Sequence, residues 1–184
     1  MNFEISETEL NGVFLVERKK FNDERGYFME YFREDFFKDR FEGKQFMQDN
    51  LSYSKKGVIR GLHFQKKPYS QGKLVSVVRG KIMDVAVNLA RNSKQFGKHI
   101  TVELSESNCS SLYIPENFAH GFIALEDSYV IYKTTNFYNR ESERGIRFDD
   151  KDIRINWGVS NPVVSPKDLE LPSLREVIER GDFF

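Results

Sequence analysis

The sequence predicts an all-β fold, either a sandwich or a jelly roll, with only short peripheral helices. Its middle consists of short runs rich in β-branched and aromatic residues. Turn-forming pairs such as Asn11-Gly12, Lys56-Gly57 and Arg79-Gly80 separate these runs. A parallel α/β fold would need a helix between successive strands, and the spacing of the runs leaves few positions for one.

Eight runs are predicted to be strands: residues 13–18, 58–65, 73–78, 82–89, 99–104, 111–114, 121–125 and 129–135. Within the fourth run, Met83, Val85 and Val87 form one apolar face. Asp84 and Asn88 lie on the opposite face, as expected where the interior of a barrel is functional.

Two segments show helical patterns. Residues 34–41 would form two turns that bury phenylalanine rings, and Gly43 would end the helix. Near the end of the chain, Ser173-Leu-Arg-Glu176 matches a capping box that opens a helix, which Gly181 would close.

Composition and charge exclude several classes of protein. The 184 residues carry 28 Lys and Arg against 28 Asp and Glu, without the basic excess that a dedicated nucleic-acid binder needs. The one cysteine, Cys109, cannot form an intrachain disulfide and suits a reducing compartment. No apolar stretch approaches the ~20 residues of a membrane helix, and Glu4, Glu7 and Glu9 do not fit a secretory signal. We therefore expect a cytoplasmic protein with neither a nucleic-acid nor a membrane partner.

His63 is the first candidate for catalysis, because histidine is the usual general base at neutral pH. Strict alternation along the strand would place Arg60 and His63 on opposite faces. A bulge at Gly61 would bring both side chains inward. A core histidine bonded to the backbone is the alternative, but Arg60, Gln65 and Lys73 in the same stretch favour a catalytic role.

The other two histidines differ in their surroundings. His120 lies in a turn that feeds a strand, where it is either structural or part of a site, and His99 is predicted at the surface. Metal-binding jelly rolls usually carry two histidines one residue apart on a strand, but here His63 is followed by Phe64-Gln65. Lys73 would also repel a cation, so no metal site is expected.

Three further residues have the chemistry of an acid or an electrophile. Tyr132, inside a strand, is either a core residue or a proton donor. Lys73 is either a solvated strand end or, inside the barrel, a charge that stabilises an oxyanion. Asp168 is either a turn residue or a carboxylate that orients a histidine.

Polar residues beside aromatic rings are candidates for ligand binding. The segment 23–30 combines Arg25 with two rings and Glu30, and Gln48-Asp49-Asn50 precedes a further ring. Arginine pairs with phosphate oxygens, and aromatic faces stack on bases. The sequence has no Gly-rich phosphate loop or dinucleotide fingerprint, so a nicotinamide or ATP site has no support.

Together these motifs resemble the dTDP-4-dehydrorhamnose 3,5-epimerase family. The order and spacing of the matching segments hold from about residue 3 to about residue 175, and the RGLHFQ and AHGF elements together are specific. The segments are DERGYFME (23–30), QDNLSYS (48–54), GVIRGLHFQ (57–65), QGKLV (71–75), VRGKIMDVAV (78–87), IPENFAHGF (114–122), YKTTNFY (132–138), ERGIRFDD (143–150) and SPKD (165–168).

The resemblance implies a cupin-type double-stranded β-helix, or jelly roll, as one domain over residues 1–184 with an N-terminal strand extension and a short C-terminal helix. It implies a homodimer without metal or organic cofactor, in which residues 25–30 reach the neighbouring site. The implied reaction converts dTDP-4-keto-6-deoxy-D-glucose to dTDP-4-dehydro-L-rhamnose, in dTDP-L-rhamnose and cell-surface polysaccharide biosynthesis. Both inverted carbons, C3 and C5, flank the C4 ketone, so enolate formation acidifies their protons.

The resemblance also implies a role for each candidate. His63 would be the base, oriented by Asp168. Tyr132 would return a proton on the opposite face, and Lys73 would bind the substrate and stabilise the enolate oxygen. The other residues implied to contact substrate are Arg25 and Arg60 on the diphosphate, His120 on the sugar, Tyr138 stacked on thymine, and Glu30, Gln48, Asp49, Asn50, Glu143 and Lys167 around the nucleotide and sugar.

Three alternatives stay open. An enzyme that inverts only C3 or only C5, or that uses another nucleotide, would keep His63 and Tyr132. A non-catalytic cupin that binds sugar nucleotides would not need these two residues together with Lys73 and Asp168. A metal-dependent cupin oxygenase is disfavoured by Gln65.

Overall fold

The computed structural model describes residues 2–184, which form 14 strands and three short helices. The strands are β1 (Phe3–Glu7), β2 (Phe14–Arg18), β3 (Phe21–Asp23), β4 (Gly26–Phe28), β5 (Gln48–Ser54), β6 (Val58–Gln65), β7 (Lys73–Arg79), β8 (Lys81–Asn88), β9 (His99–Ser105), β10 (Ser111–Ile114), β11 (Phe118–Ala124), β12 (Ser128–Thr134), β13 (Glu143–Gly145) and β14 (Val163–Val164). The helices are α1 (Glu34–Arg40), α2 (Pro166–Leu169) and α3 (Leu174–Glu179).

Two sheets lie face to face. The first has the strand order β1-β2-β10-β7-β12-β5, and the second has the order β13-β6-β11-β8-β9 with β14 parallel to β6. Strands β5 to β8 alternate between the two sheets, which is the winding of a jelly roll. The predicted fold class, a cupin-type jelly roll with few short helices, is confirmed. A separate hairpin, β3–β4, belongs to neither sheet.

Apolar side chains fill most of the space between the sheets. Val75 and Val130 extend from the first sheet and meet Ile82 and Phe122 from the second. Burial of such side chains is the main source of stability in a sandwich of this kind. A polar cavity opens beside this core.

The outer face of the second sheet is covered by the C-terminal part of the chain. Val85 and Val87 of β8 pack against Trp157, Leu174 and Val177. The apolar face predicted for β8 is therefore buried, on the outside of the barrel and not in its interior.

The polar face predicted for β8 is only partly functional. Asp84 points into the interior and is fully buried. Asn88 instead orders the turn after the strand, since its side-chain oxygen accepts a hydrogen bond from the N–H of Ala90 at 2.9 Å.

The outer face of the first sheet is covered at one end only. Phe37 and Phe41 of the α1 region pack there beside Tyr113. At the other end, Leu51 on β5 is 66% exposed, and Tyr129 on β12 is also exposed. This half of the sheet has an apolar surface in contact with solvent.

A bulge interrupts β6 at Gly61, as the sequence predicted. His63 pairs with His120 of β11, whereas Arg60 pairs with Phe122, so β6 carries one residue more than its partner between these pairs. Gly61 has a φ of +117°, and a Cβ at this position would lie 2.6 Å from the Cα of Gly121. Only glycine allows the two backbones to approach so closely.

The eight predicted strands correspond to β2 and to β6 through β12, with ends that differ by up to three residues. The prediction omitted β5, because this strand points polar residues inward and apolar ones outward, the reverse of the usual pattern. It also omitted β3, β4, β13, β14 and α2, which have only two to four residues each. The strand β1 was expected only as the N-terminal extension that the family resemblance implies.

Both predicted helices are present. The chain leaves α1 near Gly43, whose N–H donates a hydrogen bond to the carbonyl of Lys38. In α3 both hydrogen bonds of the capping box between Ser173 and Glu176 are formed. None of the helices in residues 2–184 is long and apolar enough to cross a membrane.

We predict that Gly61→Ala destabilises the protein far more than Gly158→Ala. Both glycines have a positive φ, but a Cβ at Gly158 meets nothing within 4 Å. The control should lose about 1 kcal/mol from backbone strain alone, and Gly61→Ala about 2–5 kcal/mol because the clash with Gly121 is added. Urea unfolding of both variants measures the difference. Equal losses would mean that the close contact with Gly121 does not constrain the fold.

Candidate active site

A cavity of about 540 Å³ opens between the two sheets. Its lining combines charged, aromatic and apolar side chains from β5, β6, β7, β11, β12, β13 and the segment that contains α2. The predicted residues that line it are Arg60, His63, Lys73, His120, Tyr132, Tyr138, Glu143, Lys167 and Asp168. The sequence therefore predicted most of the polar wall of one cavity.

His63 and Asp168 form a hydrogen-bonded pair in this cavity. The Nε2 atom of His63 lies 2.7 Å from the Oδ1 atom of Asp168, and the N–H of Gly61 donates to the Oδ2 atom at 3.3 Å. Burial by itself raises the pKa of Asp168, but the hydrogen bonds from His63 and Gly61 lower it below its usual range. The ionised carboxylate holds a proton on Nε2 and leaves Nδ1 of His63 with a free lone pair.

The helix α2 places Asp168 beside His63. The side chain of Ser165 caps this helix by accepting the N–H of Asp168 at 3.1 Å, and Pro166 occupies the first turn. Proline and a serine cap both favour a helix start at this point. The short helix therefore presents a nearly buried carboxylate to β6.

Lys73 lies at the start of β7 and is almost completely buried. Its Nζ atom donates a hydrogen bond to the carbonyl of His63 at 3.2 Å. Burial lowers the pKa of Lys73 to about 8, although the negative charges of Asp84 and Glu143 oppose the shift. The ammonium is thus held with little solvation, where it interacts strongly with any negative charge that forms in the cavity.

Tyr132 lies on β12, in the sheet opposite the one that carries His63. Burial raises the pKa of its hydroxyl, and the positive charge of Arg60 only partly offsets this effect. The hydroxyl therefore keeps its proton at neutral pH and is a hydrogen donor. The His63 imidazole and the Tyr132 hydroxyl thus belong to opposite walls of the cavity.

His120 lies on β11 beside His63 and bonds to a second carboxylate. Its Nε2 atom is 2.7 Å from the Oδ1 atom of Asp84. Burial, together with the positive charge of Lys73, lowers the pKa of His120 against the effect of Asp84. The imidazole is therefore neutral near pH 7.

The rim of the cavity is built from hydrogen-bonded polar residues. The hydroxyl of Tyr138 and the Nζ atom of Lys167 both donate to the Oε2 atom of Glu143, at 2.9 and 2.7 Å. Arg60 is held by the Oγ atom of Ser54 at 2.8 Å. These contacts fix charged groups of both signs at the entrance.

A family model of dTDP-4-dehydrorhamnose 3,5-epimerase matches residues 7–176, which cover most of the chain and all of the cavity's polar residues. The chain belongs to the dTDP-4-dehydrorhamnose 3,5-epimerase family. The resemblance seen in the sequence motifs is confirmed.

Relatives of this epimerase are similar over nearly their whole length. The dTDP-4-dehydrorhamnose 3,5-epimerase of Shigella flexneri is 50% identical over 167 residues, 90% of this chain and 92% of its own. That of Methanothermobacter thermautotrophicus is 47% identical over 179 residues, 95% of this chain and 96% of its own. A solved structure from Legionella pneumophila, in complex with dTDP-4-keto-L-rhamnose, has a TM-score of 0.92 and 38% identity, covering 98% of this chain and 97% of that one.

The protein is therefore an enzyme, an isomerase of nucleotide-linked sugars. Its function is that of a dTDP-4-dehydrorhamnose 3,5-epimerase in rhamnose biosynthesis, as the motifs implied.

Some predicted binding residues of the epimerase lie outside its own cavity. Arg25, in the β3–β4 hairpin, is exposed and pairs with Asp23. Glu30 accepts a hydrogen bond from Asn2 at 2.9 Å. The side chain of Asp49 faces outward from β5 and pairs with Lys133 at 2.9 Å.

Gln48 and Asn50 of the epimerase point inward from β5. The Nε2 atom of Gln48 donates to the Oδ1 atom of Asn50 at 2.8 Å, and its Oε1 atom accepts the N–H of Tyr138 at 2.9 Å. They therefore support the part of the rim that carries Tyr138.

Sequence reasoning missed several residues of the epimerase cavity. Ser52 and Gln71 add polar groups to the wall, and Phe122 adds an apolar one. The alternation from Gln48 through Asn50 would have placed Ser52 inward. The strand pattern predicts that Asp84 is on the polar face of β8 but assigns it no role.

His99, which the sequence places at the surface, is only partly exposed. It begins β9, is half-buried, and has a pKa lowered by that burial. It lies outside the cavity of the epimerase. Within residues 2–184, no three His, Cys, Asp or Glu side chains are grouped as ligands of a metal ion would be.

Proposed function

We propose that this epimerase inverts C3 and C5 of dTDP-4-keto-6-deoxy-D-glucose by removing and returning protons, giving dTDP-4-dehydro-L-rhamnose. The observation that carries the proposal is the placement of the His63–Asp168 pair and the Tyr132 hydroxyl on facing walls of one cavity, with Lys73 buried beside them. The dTDP-4-keto-L-rhamnose bound by the Legionella pneumophila relative is the expected product.

His63 is the proposed base at both carbons. Its Nδ1 lone pair is free because the ionised Asp168 binds the Nε2–H, and the pair stabilises the imidazolium that forms. Removal of either proton converts the C4 ketone to an enolate. Asp168 is thus a positioning residue, and His63 is the catalytic one.

Lys73 is proposed to stabilise the enolate oxygen. A buried ammonium interacts strongly with a developing oxyanion, which is the role that a metal ion plays in other enolisations. Because the pKa of Lys73 is about 8, the group is mostly protonated at neutral pH and loses its charge as the pH rises through that value.

Tyr132 is proposed to return the proton. Inversion requires that the proton be delivered to the face opposite the one from which it was removed. Tyr132 belongs to the sheet that faces His63, and its hydroxyl keeps its proton at neutral pH because burial raises its pKa.

The nucleotide is proposed to bind at the rim. Arg60 would contact the diphosphate, and Tyr138, whose ring is exposed, would stack on thymine. His120 would contact the sugar. Glu143, Lys167, Gln48 and Asn50 would order the surrounding pocket, and Asp49 would take part through its backbone since its side chain faces outward.

We further propose a homodimer. The uncovered half of the first sheet exposes Leu51 and Tyr129, and the isolated β3–β4 hairpin exposes Phe28 to 70%. Exposed apolar surface of this extent is typical of a protein interface. A partner on this surface would also allow Arg25 and Glu30 to reach the neighbouring subunit's cavity.

We also propose that the epimerase is a single domain over residues 1–184 and that it acts in the cytoplasm. There it would supply a precursor of cell-surface polysaccharide. The free, buried Cys109 is consistent with a reducing compartment.

We predict that His63→Ala abolishes solvent-proton exchange at both carbons. The measurement is incubation with dTDP-4-keto-6-deoxy-D-glucose in deuterated water, with NMR of C3 and C5. Wild-type protein should take up deuterium at both positions, and the variant should be slower by at least about 10³-fold, since no other base is assigned. His99→Ala, a histidine outside the cavity, should exchange normally.

Three results would contradict this prediction or the reaction on which it rests. Exchange by His63→Ala near the wild-type rate would mean that another group is the base. Uptake at C3 alone in the wild type would mean a single epimerase, and binding without any uptake would indicate a binding protein.

We predict that Tyr132→Phe impairs epimerisation more than proton removal. The ring and its packing remain, while the donor is lost, so deuterium exchange should continue with little inverted product. Tyr69→Phe, in an exposed turn outside the cavity, is the matched control. Wild-type turnover by Tyr132→Phe would remove the residue from the donor role.

We predict that Arg25→Ala and His63→Ala, each inactive alone, restore activity when refolded together. If residue 25 acts in the neighbouring subunit's site, each mixed dimer has one complete site, so an equal mixture should recover about a quarter of wild-type activity. If Arg25 serves its own subunit, every site in the mixture lacks one residue and no activity returns. Light scattering on the same samples confirms whether dimers are present.

A further inference from the structure

A second histidine–carboxylate pair lies beside the first. Asp84 of β8 and His120 of β11 are joined at 2.7 Å, and His120 is directly opposite His63 in the β6–β11 ladder. The proposed roles of His63 and Tyr132 do not use Asp84, and at Lys73 its negative charge only opposes the fall in pKa that burial causes. Its carboxylate nevertheless occupies the interior of the barrel.

The surroundings of Asp84 are unfavourable for a charge. The residue has no exposed surface, and its strand neighbours on the inner face, Ile82 and Ala86, belong to the apolar core. Its Oδ2 atom has no hydrogen-bond partner among the described residues 2–184. An apolar residue of similar size would pack here without such a penalty. The carboxylate therefore needs a reason other than stability.

The contact with Asp84 determines which ring nitrogen of His120 carries the proton. The imidazole is neutral, since burial lowers its pKa, so it has a single N–H. Because the Oδ1 atom of Asp84 lies 2.7 Å from Nε2 and accepts a hydrogen bond from it, this N–H is on Nε2. The Nδ1 atom is then an acceptor, and within residues 2–184 it makes no hydrogen bond, although His120 lines the cavity.

We propose that Asp84 is a positioning residue that keeps His120 as a hydrogen-bond acceptor for a hydroxyl group of the sugar ring. The inference rests on the proposed function. An acceptor cannot bind the C4 ketone oxygen, so Lys73 remains the donor to the ketone and His120 selects a ring hydroxyl near it. Lys73 and His120 together then select a sugar that has both a ketone and a neighbouring hydroxyl group.

The first test is the tautomer of His120 in the free, full-length protein. With 15N-labelled histidine, two-bond N–H correlations identify which nitrogen is protonated, and His120→Gln assigns the signals. Wild-type His120 should carry its proton on Nε2 only. In Asp84→Asn a second population protonated on Nδ1 should appear, because the amide can donate as well as accept.

The second test is the coupling between Asp84 and the substrate hydroxyl. Asp84→Asn should raise KM by about 10–100-fold, with a smaller change in kcat, by analogy with the loss of residues that orient metal-binding histidines. Binding of dTDP-6-deoxyglucose is compared with that of its 2-deoxy and 3-deoxy analogues. For the analogue that lacks the accepted hydroxyl, Asp84→Asn should cause no further loss of affinity.

The matched control is Asp150→Asn. Asp150 is also a buried carboxylate, which accepts the N–H groups of Ile153 and Leu174 away from the cavity. This variant should be less stable but should keep the wild-type KM and the His120 tautomer. A general effect of losing a buried carboxylate is thereby separated from the proposed one.

The proposal is overturned if wild-type His120 is protonated on Nδ1, or if Asp84→Asn lowers the affinity for all three ligands equally. Should Asp84→Asn fail to fold, the wild-type tautomer and the wild-type affinities for the deoxy analogues decide the matter. Absence of deuterium uptake by the wild type would contradict the proposed function but would not affect the result on the His120 tautomer.

Discussion

The contact between the backbones of Gly61 and Gly121 is the constraint on which the active site depends. It accommodates the extra residue of β6, so that Arg60 and His63 face the same cavity although they are three positions apart. Gly61 also donates its N–H to Asp168. A side chain at either glycine would separate β6 from β11, and with them the two histidines that these strands carry.

Charge balance is the second requirement of such a cavity. Lys73 is desolvated, and two carboxylates, Asp84 and Glu143, keep its pKa from falling further. Each carboxylate in turn contacts a group that lines the cavity, His120 for Asp84 and Lys167 for Glu143. The groups thus stabilise one another, which permits charges in a space from which water is partly excluded.

The strands around the site could be predicted from the sequence because local patterns determine them. The bounds of β6 and β10 follow from β-branched runs between turns. The bulge follows from the position of Gly61 between Arg60 and His63, which are three residues apart. Strand alternation alone could not assign a role to residues whose contact partners are distant in sequence. The contact of Asp84 with His120 spans 36 positions, and the reversed pattern of β5 has meaning only once its neighbours are known.

The pairing of His63 with Asp168 joins residues 105 positions apart, and Asp168 stands on a four-residue helix in the C-terminal segment that covers the second sheet. The proposed base, His63, therefore has its carboxylate partner only while that segment is docked. Local opening of residues 165–184 would leave every strand of the two sheets paired and yet inactivate the site, since His63 would lose the carboxylate that orients it. The fraction of active protein thus depends on the stability of this C-terminal segment, and not on that of the two sheets. Hydrogen exchange of the amides in α2 would report on the same opening.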